Sequence, residues 1–218
     1  MSPVEKWFKA KGWKPQDFQV DCWEHYAKGK NIMLHAPTGT GKTYAVWGGI
    51  LNESFELKKI EEGINVIWIT PLRALAVEIQ KSTQQLCTDL KTDINVDLRT
   101  GDTPQSRRTK QNKNFPFGLI TTPETLHILL SSKKHKDVFK NLRAIVVDEW
   151  HELLGTKRGV QVELAISYLK FLIPKIKIIG ISATLGNKKL AGEILMGMGN
   201  NFTTITSKIN KKINVKSI

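Results

Sequence analysis

Long apolar runs are missing from this chain. No stretch approaches the ~20 consecutive apolar residues that span a bilayer. The opening residues, MSPVEKWFKAKGWK, carry charges together with Pro3 and Gly12 where a secretory leader needs an apolar centre. Cysteine is scarce: Cys22 and Cys87 are the only two in 218 residues. They form no CxxC pair and have no histidine at metal-ligand spacing, which argues against a zinc site. Two lone thiols fit a reducing compartment, and the expectation is a cytoplasmic protein. Acidic residues are in the minority, 20 against 33 Lys and Arg, for a formal net charge of +13. Such an imbalance favours a polyanionic partner or an acidic neighbouring domain over a surface that is basic merely for solubility. Internal repeats and low-complexity segments are also lacking.

What remains is ordinary globular composition, 40% hydrophobic and 24% charged, enough to bury the core of one α/β domain. Short β-rich runs alternate with longer helical ones. Strands are expected at 31–36, 64–70, 94–100, 117–122, 142–148, 177–182 and 202–207. Several are apolar without alternation, as a strand covered on both faces is. Helices are expected at 16–28, 41–53, 72–90, 123–130, 160–172 and 187–195. Alternation at these lengths implies right-handed crossovers, hence an α/β fold with a mostly parallel twisted sheet flanked by helices. Ligands of such sheets bind at the carboxyl ends of the strands. Residues 207–218, basic and without a complete element, read as a truncated linker after a domain covering 1–206.

The stretch HAPTGTGKTYAV, residues 35–46, sits between a strand and a helix, the context a P-loop requires. Gly39 and Gly41 let the backbone turn so that N–H groups around Thr38 and Thr40 can face phosphate oxygens, and the helix N-terminus adds partial positive charge. Lys42 reaches the β- and γ-phosphates of a nucleotide such as ATP, and Thr43 offers a hydroxyl to Mg²⁺. Ala36 stands where the strict pattern has Gly. Downstream, AIVVDEWH (144–151) ends an apolar strand in Asp148, placed to hold Mg²⁺ through water. Glu149 follows it and can accept a proton from a water attacking the γ-phosphate. His151 either couples this site to motion or caps the next turn.

Upstream, GWKPQDFQ (12–19) brings an amide, Gln19, that matches the adenine edge, with Trp13 or Phe18 to pack on a base. A solvated glutamine on an amphipathic helix is the alternative. Trp150 either packs beneath the following helix or stacks on a base.

In order, GWKPQDFQ, APTGTGKT, TPLRALA, RTGDT, TTPE, DEWH and SATLGN resemble the first motor domain of superfamily 2 DExH-box helicases, a RecA-like fold of the P-loop NTPase class. The wording WITPLRALA, LITTPETL, VVDEWHELLGTKRGVQVEL and GISATLGN is similar to the large helicase-related (Lhr) family, in particular its ligase-associated branch. The matching runs from residue 12 to about 187. The resemblance implies an ATP-dependent motor moving 3′ to 5′ on single-stranded DNA, with a role in DNA repair. It implies that Gln19 reads adenine, that Lys42 and Thr43 bind phosphate and Mg²⁺, and that Asp148 and Glu149 serve metal and water. Ser182 and Thr184 would link the state of the nucleotide to grip on the strand. A DNA ligase and a nuclease are the partners that the branch implies.

Strand contacts are then expected mainly at phosphates. Thr70 and Arg73 of TPLRAL, Thr100 and Gly101 of RTGDT, and Thr122 of TTPE close three strands and would offer hydroxyls, backbone N–H groups and one guanidinium fork. For each, an ordinary cap or turn is the competing reading. The basic runs TPQSRRTKQNKN (103–114), SSKKHK (131–136) and GTKRGV (155–160) are either strand contacts or solvated faces. The family also has a second RecA-like domain carrying an arginine finger, a group worth roughly 10³–10⁵ in rate in related NTPases. Nothing after Asn187 leaves room for it, so ATP turnover by this chain alone is expected to be poor. An RNA helicase and a nucleotide-gated nucleic-acid-binding module without unwinding are the rival functions.

Overall fold

A computed structural model describes residues 1–57, 59–184 and 186–208. In chain order the elements are α1 (Pro3–Ala10), α2 (Asp17–Ala27), β1 (Asn31–His35), α3 (Lys42–Glu56), β2 (Val66–Ile69), α4 (Arg73–Asp89), β3 (Val96–Arg99), α5 (Gln105–Lys113) and β4 (Gly118–Thr121). They continue with α6 (Pro123–Leu130), α7 (His135–Phe139), β5 (Ala144–Val147), α8 (Trp150–Leu153), α9 (Lys157–Leu172), β6 (Lys177–Ser182), α10 (Lys188–Met196) and β7 (Phe202–Thr206). The expected linker lies largely outside the described residues, as does Leu185 of SATLGN.

The strands form one sheet in the order β3-β4-β2-β5-β6-β1-β7. Every pairing is parallel. All strand carboxyl ends therefore share one edge, and the loops after them gather there. The inner strands send alternate residues to opposite faces. Leu34, Trp68, Val146 and Ile181 enter one core with α1 to α4. Met33, Ile67, Ile69, Ile145 and Val147 enter the other with α6 to α10. Period-two alternation with apolar residues on both faces is why these runs looked continuously apolar in the sequence.

Four helices escaped the periodicity reading. Pro3 starts α1 instead of breaking the chain: Ser2 Oγ accepts from Glu5 N at 3.2 Å and Glu5 Oε2 accepts from Ser2 N at 2.5 Å, a capping box with proline in the first turn. Helix α5, QSRRTKQNK, has no apolar face to read and buries only Gln111. Helices α7 and α8 are too short to show a period. Helix α9 begins three residues earlier than expected because Thr156 caps it, accepting from Gly159 N at 3.1 Å.

At the amino edge of the sheet, Glu53 of α3 receives Lys177 Nζ at 2.6 Å and Arg143 Nη2 at 3.1 Å. The Lys177 ammonium also lies 3.7 Å from the centre of the Tyr26 ring. Helix α3 is thus pinned to the sheet at its far end, while its first turn belongs to the site.

Candidate nucleotide site and nucleic-acid rim

Strand β1 delivers the P-loop. Gly39 and Gly41 adopt left-handed backbone, with φ of 72° and 86°, and Gly41 caps α3. A side chain at 41 would also collide with Gln19, whose Nε2 lies 2.6 Å from the position a Cβ would take. Gln19 is buried and bonded at both ends of its amide: its Oε1 accepts from Gln16 N at 2.9 Å, and its Nε2 donates to Gly41 O at 3.0 Å. Its amide braces the phosphate loop from behind. Thr40 Oγ1 closes the loop on Pro37 O at 2.7 Å. Thr38 and Gly39 lie exposed at the tip, and Thr43 is half-buried in the first turn of α3.

Strand β5 delivers the acidic couple. Lys42 Nζ sits 3.0 Å from Glu149 Oε1, with both side chains mostly buried. Glu149 holds a φ of 46°, an uncommon conformation for a residue with a Cβ. That backbone turns its carboxylate towards the P-loop while Asp148 points inward. Asp148 Oδ1 accepts from Glu149 N at 2.9 Å, and Oδ2 accepts from Trp68 Nε1 at 3.3 Å. Burial raises the Asp148 carboxyl to about 6, the neighbouring Glu149 charge adds to the rise, and Lys42 opposes it. Glu149 Oε2 is buried without a hydrogen-bond partner among the described residues, an orphaned acceptor on the P-loop side.

Strand β6 lies between β5 and β1, with Ser182 in register beside His35. Ser182 Oγ donates to Thr184 O at 3.1 Å, which leaves its lone pairs to accept from His151 Nδ1 at 2.9 Å. His151 Nδ1 is also 3.5 Å from Glu149 Oε2, so His151 joins the acidic couple to the SAT segment. Trp150 is fully buried and donates to Ala191 O at 2.9 Å. Of its two readings the packing one stands.

The donor set fits a nucleotide with Mg²⁺. No cluster of three or more His, Cys, Asp or Glu among the described residues could cage a metal, and Mg²⁺ at a phosphate site needs only one or two protein oxygens beside phosphates and water. The Thr43 hydroxyl and the Asp148 carboxylate are of the kind that would serve.

The rim residues expected at a strand differ in exposure. Thr70, Thr100 and Thr122 are buried, at 0%, 4% and 3% exposure, and Thr70 Oγ1 is enclosed without a hydrogen-bond partner among the described residues. Tight turns hold two of them: Thr103 Oγ1 accepts from Thr100 N at 2.9 Å, and Thr122 Oγ1 donates to Thr125 Oγ1 at 3.3 Å. Arg73 and Gly101 are exposed. Arg73 Nη1 lies 2.6 Å from both carboxylate oxygens of Asp102. Arg108 is a brace, donating to Thr103 O at 2.8 Å, Thr100 O at 3.1 Å and Gly101 O at 2.7 Å. Arg107 pairs with Asp97, whereas Lys110 and Lys113 remain exposed. Arg158 forks onto Glu124 of TTPE, with Nε to Oε1 at 2.6 Å. Asp102, Glu124 and Trp68 escaped the sequence reading, since nothing in a motif string says which charge or ring faces which.

A family model described as DEAD/DEAH box helicase matches residues 16–191. ATP-dependent helicase Lhr-Core of Saccharolobus solfataricus is 31% identical over 226 residues, covering 99% of this chain and 26% of that protein. Its namesake from Methanocaldococcus jannaschii is 32% identical, covering 99% and 27%. This chain thus spans about a quarter of the length of these curated relatives. Among solved structures, the Mycobacterium smegmatis helicase Lhr bound to single-stranded DNA and AMP-PNP aligns with a TM-score of 0.87 at 28% identity, covering 98% of this chain and 28% of that one. With the family model matched across most of its length, the chain belongs to the DEAD/DEAH box helicase family and forms a RecA-like helicase domain of the Lhr type.

Proposed function

We propose that this chain is the ATP-binding motor domain of an ATP-dependent translocase that moves 3′ to 5′ on single-stranded DNA, in DNA repair. The observation that carries the reading is the 3.0 Å approach of Lys42 to Glu149, with Asp148 buried beside them. Within the site Lys42 leaves Glu149 for the phosphates, and Glu149 is then free to take a proton from the attacking water. The P-loop amides and Lys42 hold the charge that develops on the γ-phosphate. When bound, Mg²⁺ would be held by Thr43 and Asp148 and would neutralise phosphate charge. Gln19 supports the loop and would turn part of its amide to adenine. His151, Ser182 and Thr184 would carry the change from the acidic couple to the next loop.

The neighbour bound to single-stranded DNA and AMP-PNP supports a strand and a nucleotide as ligands. A second RecA-like domain, with its arginine finger, would complete the motor. A ligase and a nuclease partner rest on the family branch alone. A reducing, cytoplasmic setting accords with Cys22 and Cys87, both free and buried, and no helix among the described residues is long and apolar enough to cross a membrane.

The test is ATPase rate with and without single-stranded DNA, on this chain and on a version extended through a second motor domain. Strong DNA stimulation only in the extended version supports the reading. Equal, robust turnover by this chain alone defeats it. RNA is the second reading, because the rim meets phosphates and no described side chain singles out a 2′-hydroxyl. Competition between matched DNA and RNA strands separates the two.

A further inference from the structure

Three loops line the rim in the order set by the sheet. RTGDT follows β3, TTPE follows β4 and TPLRAL follows β2, with β4 in the middle. Arg73, from the third loop, reaches Asp102 in the first at 2.6 Å, so their contact spans the loop between. That middle loop has a pair of its own, Glu124 with Arg158 from the start of α9, Nε to Oε1 at 2.6 Å and Nη2 to Oε2 at 3.4 Å. All four side chains remain open to solvent, at 61% and 67% for the first pair and 38% and 50% for the second.

These contacts are not structural cement. Exposed ion pairs contribute about 0–1 kcal/mol, and among the described residues neither guanidinium has a second hydrogen-bond partner. The RTGDT loop is already held from within by Arg108 and the Thr103 hydroxyl, and the TTPE loop by the bond of Thr122 to Thr125. What the pairs do is occupy two guanidinium groups with carboxylates: Arg73 sets Nη1 against both oxygens of Asp102, and Arg158 forks onto Glu124 through Nε and Nη2. A carboxylate and a phosphodiester present the same geometry to a fork, two oxygens sharing one negative charge. Both guanidinium groups also lie on the sheet edge where the loops gather.

We propose that Asp102 and Glu124 are built-in competitors for the nucleic-acid backbone. A single strand entering the rim displaces them from Arg73 and Arg158, which makes Arg158 a strand contact and makes the two acids residues that set affinity. The proposal rests on the reading of the rim as a nucleic-acid site. Its ligand class is the single-stranded phosphodiester backbone, DNA or RNA. The exchange swaps one anion for another, so the acids weaken binding uniformly across base sequences. The displaced carboxylates also repel a badly seated strand.

The experiment titrates fluorescent oligo-dT and oligo-rU against the 218-residue chain by anisotropy at several salt concentrations. The variants are Asp102→Asn, Glu124→Gln, Arg73→Ala, Arg158→Ala and the two double variants that combine each acid with its own arginine. Each acid variant should tighten binding about two- to fivefold, the range an exposed pair can account for. That gain should vanish when the matching arginine is alanine. Arg158→Ala should flatten the dependence of log K on log salt by about 0.7, one single-strand phosphate contact. A gain from Asp102→Asn that persists in the Arg73→Ala background marks a simple change of net charge and overturns the proposal, as does an unchanged salt slope in Arg158→Ala. If neither the parent nor an Asp102→Asn/Glu124→Gln variant binds either strand, the nucleic-acid reading itself falls. A parent that binds, with no coupling in the cycles, removes only the competitor role. The dT and rU arms tell which backbone is preferred.

Discussion

Lys42 and Glu149 stand 107 positions apart in the chain and 3.0 Å apart in the fold. In this state each neutralises the other, and on the proposed reading neither can act until they separate. Nucleotide binding therefore exchanges an internal ion pair for a lysine–phosphate contact. Replacing Glu149 by Gln should free Lys42 and keep nucleotide affinity at or above the parent level. In a version extended through a second motor domain, the same change should lower turnover by about 10²–10⁴, the usual worth of a general base. Lys42→Ala should lose binding outright. Titration with a fluorescent ATP analogue, followed by single-turnover hydrolysis, checks both halves. A Lys42→Ala chain that binds as well as the parent contradicts the site.

Asp148 gives stability a pH dependence of definite sign. Its folded value, about 6, lies above the ordinary 3.8. The folded state thus binds more protons than the unfolded one between those values, and the contribution of Asp148 falls as pH rises through that window. Such an elevation corresponds to about 3 kcal/mol. Without metal or nucleotide, Asp148→Asn should raise stability by up to that amount at pH 8 and leave it unchanged near pH 3. Urea midpoints in EDTA at the two pH values measure the difference, and equal effects at both would show that the burial of charge is not the cause.

Gln19 supports the P-loop from behind, so its loss should be felt in phosphate binding as well as in any choice of base. Gln19→Ala removes the donor to Gly41 O and strands Gln16 N. Two net hydrogen bonds of about 1 kcal/mol each predict a loss of up to roughly 30-fold in ATP affinity. On the proposed adenine role, ATP should lose more than GTP. Parallel titrations with the two nucleotides decide whether the residue braces the loop alone or also reads the base.

Gly159 is required by the approach of α9 to the end of α8. A Cβ there would sit 2.1 Å from Leu153 O, a backbone atom that also receives Thr156 Oγ1 at 2.6 Å. Gly159→Ala should cost about 1–3 kcal/mol through this overlap, despite alanine's better helix propensity. A urea midpoint at or above that of the parent would show that the junction yields.

Much of this protein is legible in its residues alone. Apolar runs of strand length, punctuated by Gly and Pro and alternating with helical runs, specify parallel β–α units, because each such strand must be covered on both faces. GTGKT after β1 and DE after β5 name a phosphate loop and its acids by local chemistry, which needs only neighbouring residues. Helix α5 was illegible for the converse reason: a helix with no apolar face leaves no period to find. Pairing decided the rest. The strand order, which sets β6 between the two halves of the nucleotide site, comes from packing across the sheet. The burial of Thr70, Thr100 and Thr122, and the bonds that join Gln19 to Gly41, Arg73 to Asp102 and Arg158 to Glu124, depend on distances between loops far apart in the chain. A motif records which groups are available, and only the closed sheet edge brings one loop's groups against another's.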